Sequence, residues 1–315
     1  MAARVASIKP RKGIDFRKVR TRLYRSRYLY LMILLPVIYY LLFHYRPMYG
    51  ILIAFQNFRV ARGIWGSDWV GLLHFRRFLT DPYFWQLVRN TFLISFYGLL
   101  WGFPAPIILA IMLNEMKQRH FKRLIQSVSY LPHFISVVVI SGMVVRFVAF
   151  DGLVNQIAGL FGIAPRQFLM FPQYFRTIFI SSGIWASVGW GSIIYLAALS
   201  GVNPELYEAA SIDGAGRFRK MISVTLPSIT PTISIMLILN LGGILSVGHE
   251  RVLLLYNGAI FETADVISTF VFRRGIMGND FSFATAIGLF ESLIGLVFII
   301  TANKISNKIS ESGLW

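Results

Sequence analysis

The sequence predicts an all-α polytopic membrane protein with six transmembrane helices and a short cytoplasmic elbow before the fifth. Of its 315 residues, 56% are hydrophobic and only 14% are charged, whereas about 25% of the residues in a typical soluble domain are charged. The mean hydropathy is +0.61. Six apolar segments each approach the roughly 20 residues that a helix needs to cross a bilayer core. These observations exclude an ordinary soluble domain.

The six segments follow one another along the chain, and each is expected to be helical because lipid offers no hydrogen-bond partners to a bare backbone. Pro36 predicts a kink in the first segment, and Pro104 and Pro106 interrupt the second. No small-residue cleavage site follows the first segment, which indicates an uncleaved anchor rather than a signal peptide. The expected spans are 28–45, 90–113, 125–150, 177–200, 228–247 and 283–302.

Lys and Arg are distributed unevenly between the two sides of the predicted membrane, and this asymmetry sets the orientation. Residues 1–27 alone hold ten of them, and that side carries 19 in total against 11 on the other. With acidic residues counted, the net charges are +13 and +4, so both termini are expected in the cytoplasm. Anionic lipid attracts such basic segments by about 1 kcal/mol per charge. Since no nucleic-acid motif accompanies the charge, membrane lipid and not nucleic acid is the expected partner.

The loop between the fourth and fifth spans has the signals of a helix, a turn and a second helix. Asn203 is a good N-cap, and the proline after it suits the first helical position. Two glutamates follow near the positive end of the helix dipole. The run 213–216 contains two glycines and allows a sharp change of direction. A short basic, amphipathic segment comes next, and we expect Pro227 to end it. The sequence therefore predicts a compact elbow over 203–227.

This loop resembles the EAA loop of ABC importer permeases. The family pattern is Glu-Ala-Ala, three residues, Gly, nine residues, Ile, one residue and Leu-Pro, and only the Ile position differs here, by a change conservative in shape. The matching positions are Glu208, Ala209, Ala210, Gly214, Val224, Leu226 and Pro227. Further stretches resemble sugar-importer permeases of the polysaccharide and oligosaccharide subgroup, which includes alginate-type importers. They are 43–58, 69–79, 189–217 and 254–275, and the resemblance to the general family covers 28–305.

The resemblance implies a type I ABC importer fold in which the elbow is a coupling helix that docks on a separate ATP-hydrolysing subunit. Glu208 would make a polar contact with that subunit, Ala209 and Ala210 would allow close approach, and Gly214 would turn the chain. The other residues that we assign to coupling are Asp213, Arg217, Leu226 and Pro227. The implied partners are a second, homologous permease subunit in a heterodimer, an ATP-binding subunit dimer, an extracytoplasmic solute-binding protein and a carbohydrate substrate.

The same resemblance implies a multi-pass protein of the bacterial inner membrane. The expected organisation is a basic cytoplasmic segment at 1–27, the first transmembrane helix with an extracytoplasmic loop at 28–84, an ABC transmembrane core at 85–305 and a cytoplasmic tail at 306–315. No cofactor is expected in this chain, since it carries no phosphate-binding glycine motif; ATP and Mg²⁺ are expected on the partner ATPase. The absence of cysteine excludes disulfides and thiolate metal ligands, and the five histidines show no metal-ligand spacing.

Residues of the substrate path are chosen by chemistry, because sugars are held by aromatic faces together with hydroxyl and amide groups. In the fourth and fifth spans the candidates are Trp185, Trp190, Ser192, Tyr195 and Asn240. Aromatic residues in spans also serve as packing or interface anchors, so both interpretations stay open. Glu291 lies in the sixth span, where a carboxylate costs about 2.5–3.5 kcal/mol to insert. It is either a path residue or an interhelical or subunit contact.

Two other kinds of function remain open from the sequence. The first is an ABC importer for a non-sugar solute such as a peptide or amino acid. The second is a membrane receptor or scaffold that uses the same elbow to dock an ATPase without transport. An intramembrane enzyme is not supported, because no paired catalytic residues are found.

Overall fold

The computed structural model describes residues 24–243 and 247–310. Within this part of the chain, five helices are long and apolar enough to cross a membrane, and the number is six if one bent pair of helices is counted as a single span. The only strands there form a two-residue antiparallel ladder, β1 (Gln56–Asn57) with β2 (Asp68–Trp69). The all-α membrane fold predicted from the sequence is confirmed. The predicted basic segment 1–27 lies outside the described residues except for 24–27, and so do residues 311–315 of the predicted tail.

Inter-residue contacts divide the chain into two units, Met1–Leu52 and Ile53–Trp315. The first contains helix α1 (Arg27–Tyr40), which holds Pro36 and buries none of its residues. A helix that is apolar on all sides and exposed is suited to lipid rather than to water. A π-helical turn (Leu41–Tyr45) and a 3₁₀ helix (Arg46–Phe55) continue from it. Helical structure therefore extends ten residues beyond the predicted end at residue 45.

The second span is built from two consecutive helices. After the short helices α2 (Gly63–Gly66) and α3 (Leu73–Leu79), the chain forms α4 (Phe84–Gly102) and α5 (Pro104–Glu115). The two count as one continuous span of 32 residues. Pro104 occupies the first turn of α5, where its missing N–H leaves no helical bond unmade. The helix is therefore interrupted at Phe103, as expected, while the span continues across the interruption.

The segment expected as the third span, 125–150, is a bent pair of helices and not one continuous helix. The structure has α6 (Arg119–Tyr130), a 3₁₀ turn (Leu131–Phe134) and α7 (Val137–Phe147), and the chain bends by 107° between the two parts. Pro132 removes a helical N–H at the break. Ser136 is extended and caps α7 by accepting a hydrogen bond from the backbone N–H of Val139 at 3.3 Å. Helix α8 (Leu153–Leu160) and a 3₁₀ turn (Phe168–Met170) follow.

Helix α9 (Pro172–Ser200) is the central element, with 29 residues, and it contacts α4, α5 and α6 among others. Gly189 makes one of these approaches possible. A Cβ atom on it would collide with the backbone carbonyl of Ser129 and lie 2.8 Å from the backbone nitrogen of Tyr130. Glycine is required at this position because the α6 backbone occupies the space of a side chain.

After the α9 span come α10 (Pro204–Ile212), α11 (Arg217–Lys220), a π-helical turn (Met221–Thr225) and α12 (Leu226–Gly242). The expectation that Pro227 ends the basic segment is wrong, since one helix runs from Arg217 to Gly242. Ser223, four residues before this proline, lies inside the π-helical turn. The wider hydrogen-bond register of that turn accommodates the missing N–H of the proline.

The last part of the chain folds back in short helices before the final span. These are α13 (His249–Leu255), a 3₁₀ turn (Gly258–Ile260), α14 (Phe261–Ala264), α15 (Ile267–Val271), a π-helical turn (Phe272–Met277) and α16 (Phe281–Ser310). Three clusters of buried apolar residues hold the second unit together. One joins α4, α7, α9 and α13, a second joins α3, α4, α15 and α16, and the third joins α5, α9 and α12.

Candidate functional site

The elbow predicted over 203–227 begins with a capped helix. The Asn203 side-chain oxygen accepts a hydrogen bond from the backbone N–H of Glu205 at 3.0 Å, and Pro204 opens the first turn. No residue of α10 is buried within this chain. Most residues of this capped helix are exposed, with Tyr207 and Ala210 half-buried, so one face is available for contact with another protein.

The turn after α10 depends on Gly214, whose φ is +75°. Its neighbours close the helix end, since the Ala215 N–H donates to the carbonyl of Ala210 at 2.9 Å. A Cβ at Gly214 would meet no atom within 4 Å. The need for glycine is therefore conformational rather than steric, because residues with a side chain disfavour the left-handed region.

Two side-chain contacts tie the elbow to the start of the fifth span. The Tyr207 hydroxyl lies 3.1 Å from Oγ1 of Thr225, a residue that is 1% exposed. The Lys220 ammonium donates to Oγ of Ser211 at 2.6 Å. Both contacts therefore join α10 to the helical run that continues into α12. Sequence reasoning missed all four residues, because partners 9 and 18 positions apart across a turn leave no periodic signal.

The exposed surface of the elbow includes residues of very different character. Glu208 and Ala209 are exposed, and so are the large apolar side chains of Leu206, Ile212 and Phe218, with Ile212 87% exposed. Large exposed apolar side chains beside polar ones are typical of a surface that another protein covers. Most of the predicted coupling residues are exposed, whereas Ala210 is half-buried and Leu226 packs against the buried cluster of α5, α9 and α12.

A cavity of about 440 Å³ lies among α4, α9, α12 and α13. Five of its lining residues are glycines, which widen it, and its polar groups come from serine, asparagine and arginine. Those polar residues are Ser95, Ser187, Asn240 and Arg251. Its volume lies within the range of about 300–1,000 Å³ of small-molecule sites. This cavity is the best candidate for part of a path through the protein.

Arg251 supplies the charge of this cavity. Its guanidinium stacks on the ring of Phe179 at 3.9 Å, and Nη2 donates to Oγ of Ser182 at 3.4 Å. Burial lowers the pKa of Arg251 to about 10, so the side chain remains a cation at neutral pH. Among the residues that the structure describes, no carboxylate lies within ion-pair distance of it.

Comparison with known proteins identifies the family. Residues 102–310 match the model of the binding-protein-dependent transport system inner membrane component. The chain belongs to this family. It is 43% identical to the polygalacturonan/rhamnogalacturonan transport system permease protein YteP of Bacillus subtilis (strain 168), over 95% of this chain and 94% of YteP. It is 42% identical to Protein LplB of the same organism, over 96% of this chain and 95% of LplB.

A solved structure matches the permease over nearly its whole length. It is a chain of a bacterial ABC transporter involved in the import of the acidic polysaccharide alginate, with 40% sequence identity and a TM-score of 0.86 over 93% of this permease and 99% of that chain. The resemblance to ABC importer permeases is therefore confirmed. The permease is a multi-pass inner-membrane subunit, and nucleotide binding and ATP hydrolysis lie on partner subunits.

The residues predicted for the substrate path are dispersed in the permease rather than gathered in one cavity. Asn240 lines the 440 Å³ cavity, whereas Trp185 lines a separate, more apolar cavity of about 540 Å³. Trp190 stacks on His133 with ring centroids 4.4 Å apart. Tyr195 belongs to the buried cluster of α5, α9 and α12.

Ser192 and Glu291 of the permease are also placed outside that cavity. Ser192 is fully buried and donates to the carbonyl of Gly189 at 2.6 Å, a bond within its own helix. Oε1 of Glu291 is buried and finds no hydrogen-bond partner among the described residues. Sequence reasoning missed Arg251, which it counted only as one basic residue of an outer loop, because the fold-back of α13 toward α9 has no sequence signal.

A hydrogen-bonded ion pair holds the segment that carries α14 and α15 in the permease. Arg273 donates to both carboxylate oxygens of Asp265, at 2.8 and 2.7 Å, and Thr269 donates to Oδ1 at 2.7 Å. These bonds raise the pKa of Arg273 above its usual value. Asn90 of α4 donates to the backbone carbonyls of Glu262 and Asp265. The segment is thereby fixed to the core of the bundle.

Proposed function

We propose that this permease imports an acidic oligosaccharide that a solute-binding protein delivers at the outer face of the membrane. The observation that carries the proposal is the near-full-length likeness to two proteins named for acidic polymers, polygalacturonan/rhamnogalacturonan for YteP and alginate for the solved transporter. The fold alone would not choose a sugar, because a chain of a methionine ABC transporter shares it at a TM-score of 0.52 with 14% identity.

The cavity beside α9 supports a path for such a substrate. Gly183, Ser187, Trp190 and Ile194 recur at helical spacing along one face of α9, and the last three are exposed. The first two line the 440 Å³ cavity. Trp190 with the parallel ring of His133 offers a flat surface of the kind that sugar rings contact. We assign this face, with Asn240, to the substrate path. Trp185 stays a proposed path residue at a neighbouring cavity, and the dispersed positions of Ser192, Tyr195 and Glu291 give them weaker support.

The elbow is the proposed contact with the ATPase. Its support is the exposed face around Glu208 and the two contacts that brace it against the fifth span, Tyr207 to Thr225 and Lys220 to Ser211. Ala209, Ala210, Asp213, Gly214, Arg217, Leu226 and Pro227 stay proposed coupling residues on the match to the family pattern. ATP binding on the partner would move the elbow, and α12 would follow because it begins where the elbow ends.

The assembly that we propose has a second permease subunit in a heterodimer, two ATP-binding subunits and an extracytoplasmic solute-binding protein. The alginate transporter supports this, since one of its structures is a complex with an alginate pentasaccharide-bound periplasmic protein. Cytoplasmic termini and the domain limits 1–27, 28–84, 85–305 and 306–315 remain predictions. The charge asymmetry of +13 against +4 supports the orientation.

Reconstitution of the complete complex in proteoliposomes tests the function. We expect labelled acidic oligosaccharides to be taken up with ATP and to stimulate the ATPase, and neutral oligosaccharides and peptides to be taken up poorly. Uptake of peptides or amino acids instead would show a non-sugar importer. A docked ATPase that no solute stimulates would favour the scaffold.

Coupling is tested by Glu208→Lys and Gly214→Trp in the same assay. Both residues are exposed on the elbow, so the variants should insert normally. We expect them to lose stimulated ATPase activity and uptake together. Normal uptake with normal ATPase rates in both variants would exclude the elbow as the coupling element.

A further inference from the structure

The cation in the 440 Å³ cavity is not explained by the packing of the protein. Arg273 and Arg77 each have an aspartate partner at 2.7–2.8 Å, which is how proteins usually compensate a partly buried charge. Arg251 has no such partner among the described residues. Residues 244–246, which lie outside the described part of the chain, are Ile, Leu and Ser and carry no charge. An uncompensated guanidinium in a cavity is costly unless a ligand supplies the opposite charge.

The surroundings of Arg251 hold its guanidinium at the cavity wall. Gly183 provides the space, because a Cβ there would lie 2.6 Å from Nη1 and 2.9 Å from Nη2. Phe179 supports one face of the guanidinium at 3.9 Å. Oγ of Ser182 takes one N–H, at the long distance of 3.4 Å. The protein thus fixes the plane of the group while the described residues leave most of its five N–H donors unused.

The geometry points to Arg251 as a carboxylate-binding subsite, which receives one uronate group of the passing chain and makes the permease selective for acidic over neutral sugars. This inference rests on the proposed function, and it names the residue that binds the negatively charged carboxylate of the substrate. A planar guanidinium matches a carboxylate with two parallel hydrogen bonds, which a lysine ammonium cannot reproduce. The neighbouring Ser187 and Asn240 offer hydroxyl and amide groups to the same sugar.

A single fixed cation suits transport better than a cluster would. Among the residues that the structure describes, Arg251 is the only charged one that lines this cavity, so one carboxylate at a time is held strongly. A site made of several cations would bind an acidic chain tightly and release it slowly. The subsite therefore favours entry of an acidic chain without preventing its departure.

The test compares two oligogalacturonates of equal length, one with free carboxylates and one with half of them methyl-esterified. Initial uptake rates are measured in proteoliposomes that contain the complete transporter with wild-type permease or with Arg251→Gln, Arg251→Lys or Gly183→Ala. We expect Arg251→Gln to lower uptake of the free acid by about tenfold or more, the usual effect of losing charge-assisted hydrogen bonds. Uptake of the half-esterified chain should fall much less.

The other two variants distinguish recognition of the substrate carboxylate by Arg251 from a purely structural role of this residue. Arg251→Lys keeps the cation and should retain part of the preference for the free acid. Gly183→Ala leaves Arg251 in place but displaces its guanidinium, and should reduce the preference without changing any charge. Thermal midpoints equal to that of the wild-type complex show that the variants are folded.

Three results would overturn the inference: an Arg251→Gln variant with unchanged uptake of the free acid, an equal fall for both chains, or a Gly183→Ala variant with the full wild-type preference. Failure of the proposed function is distinguishable, because the wild-type transporter would then take up neither acidic chain. A preference for the free acid that falls in the order wild type, Lys, Gln would support the subsite.

Discussion

Replacing Asp265 by Asn should destabilise the permease strongly. Asp265 is 6% exposed and accepts three hydrogen bonds at 2.7–2.8 Å, two from Arg273 and one from Thr269. The variant removes the negative charge and turns an N–H₂ group toward a donor of Arg273. A guanidinium is then left partly buried without its counter-charge.

The size of the effect follows from the exposure of the pair. Breaking a buried ion pair by removing one partner costs about 3–5 kcal/mol. Because 32% of the Arg273 side chain is exposed, we expect about 3 kcal/mol. The matched control is Asp68→Asn, since Asp68 pairs with Arg62 at 3.5 Å with side chains 64% and 51% exposed. Exposed pairs contribute about 0–1 kcal/mol, so this variant should change little.

Thermal unfolding of the purified complex, followed by tryptophan fluorescence, measures the difference. At a few degrees per kcal/mol, Asp265→Asn should lower the midpoint by about 5 °C or more, and Asp68→Asn by about 1 °C at most. Equal shifts in the two variants would refute the argument that burial of the pair decides its contribution. A normal midpoint in Asp265→Asn would refute the role of the pair altogether.

Three further substitutions test local features of the fold. Gly214→Val forces a β-branched residue to a φ of +75° and should reduce stimulated ATPase activity several-fold. Gly214→Asn should retain most of that activity, because asparagine tolerates the left-handed region. Equal activities of the two variants would contradict the argument that the turn needs a positive φ. Gly189→Val meets the Ser129 carbonyl and should cost about 1–3 kcal/mol in thermal unfolding, whereas Gly288→Ala, with no atom within 4 Å of its Cβ, should be neutral. Ser136→Ala removes the cap of α7 and should cost about 1 kcal/mol; an unchanged midpoint would exclude that contribution.

The elbow could be predicted in detail because its signals are local. An N-cap asparagine, a proline in the first turn and a glycine at positive φ each act within a few residues, and the structure shows all three at the expected places. The bend within 125–150 could not be predicted, since the apolar run continues through Pro132 and hydropathy does not distinguish a bent span from a straight one. Pro227 misled in the opposite direction, because the π-helical turn before it lets the helix continue.

The substrate path was the least predictable part, because residue chemistry does not tell which face of a helix meets a cavity. Trp185, Trp190, Ser192 and Tyr195 all lie in α9, yet they point to a second cavity, to His133, to their own helix and to a buried cluster. Each of these side chains leaves the axis of α9 in a different direction. What it contacts depends on which helix packs against α9 on that side.

By itself, the sequence determined that the chain is a membrane protein, its approximate spans and the helix and turn of the elbow, since hydropathy and local capping are properties of contiguous residues. Tertiary structure alone decided that Arg251, far along the chain from Phe179 and Gly183, stands beside them in a cavity. The physical reason is that the interactions of the Arg251 guanidinium depend on the groups close to it in space and not on those close to it in the sequence. Long-range neighbours depend on how α9 and α13 pack, and a helix of seven residues such as α13 carries no signal of its own that fixes this.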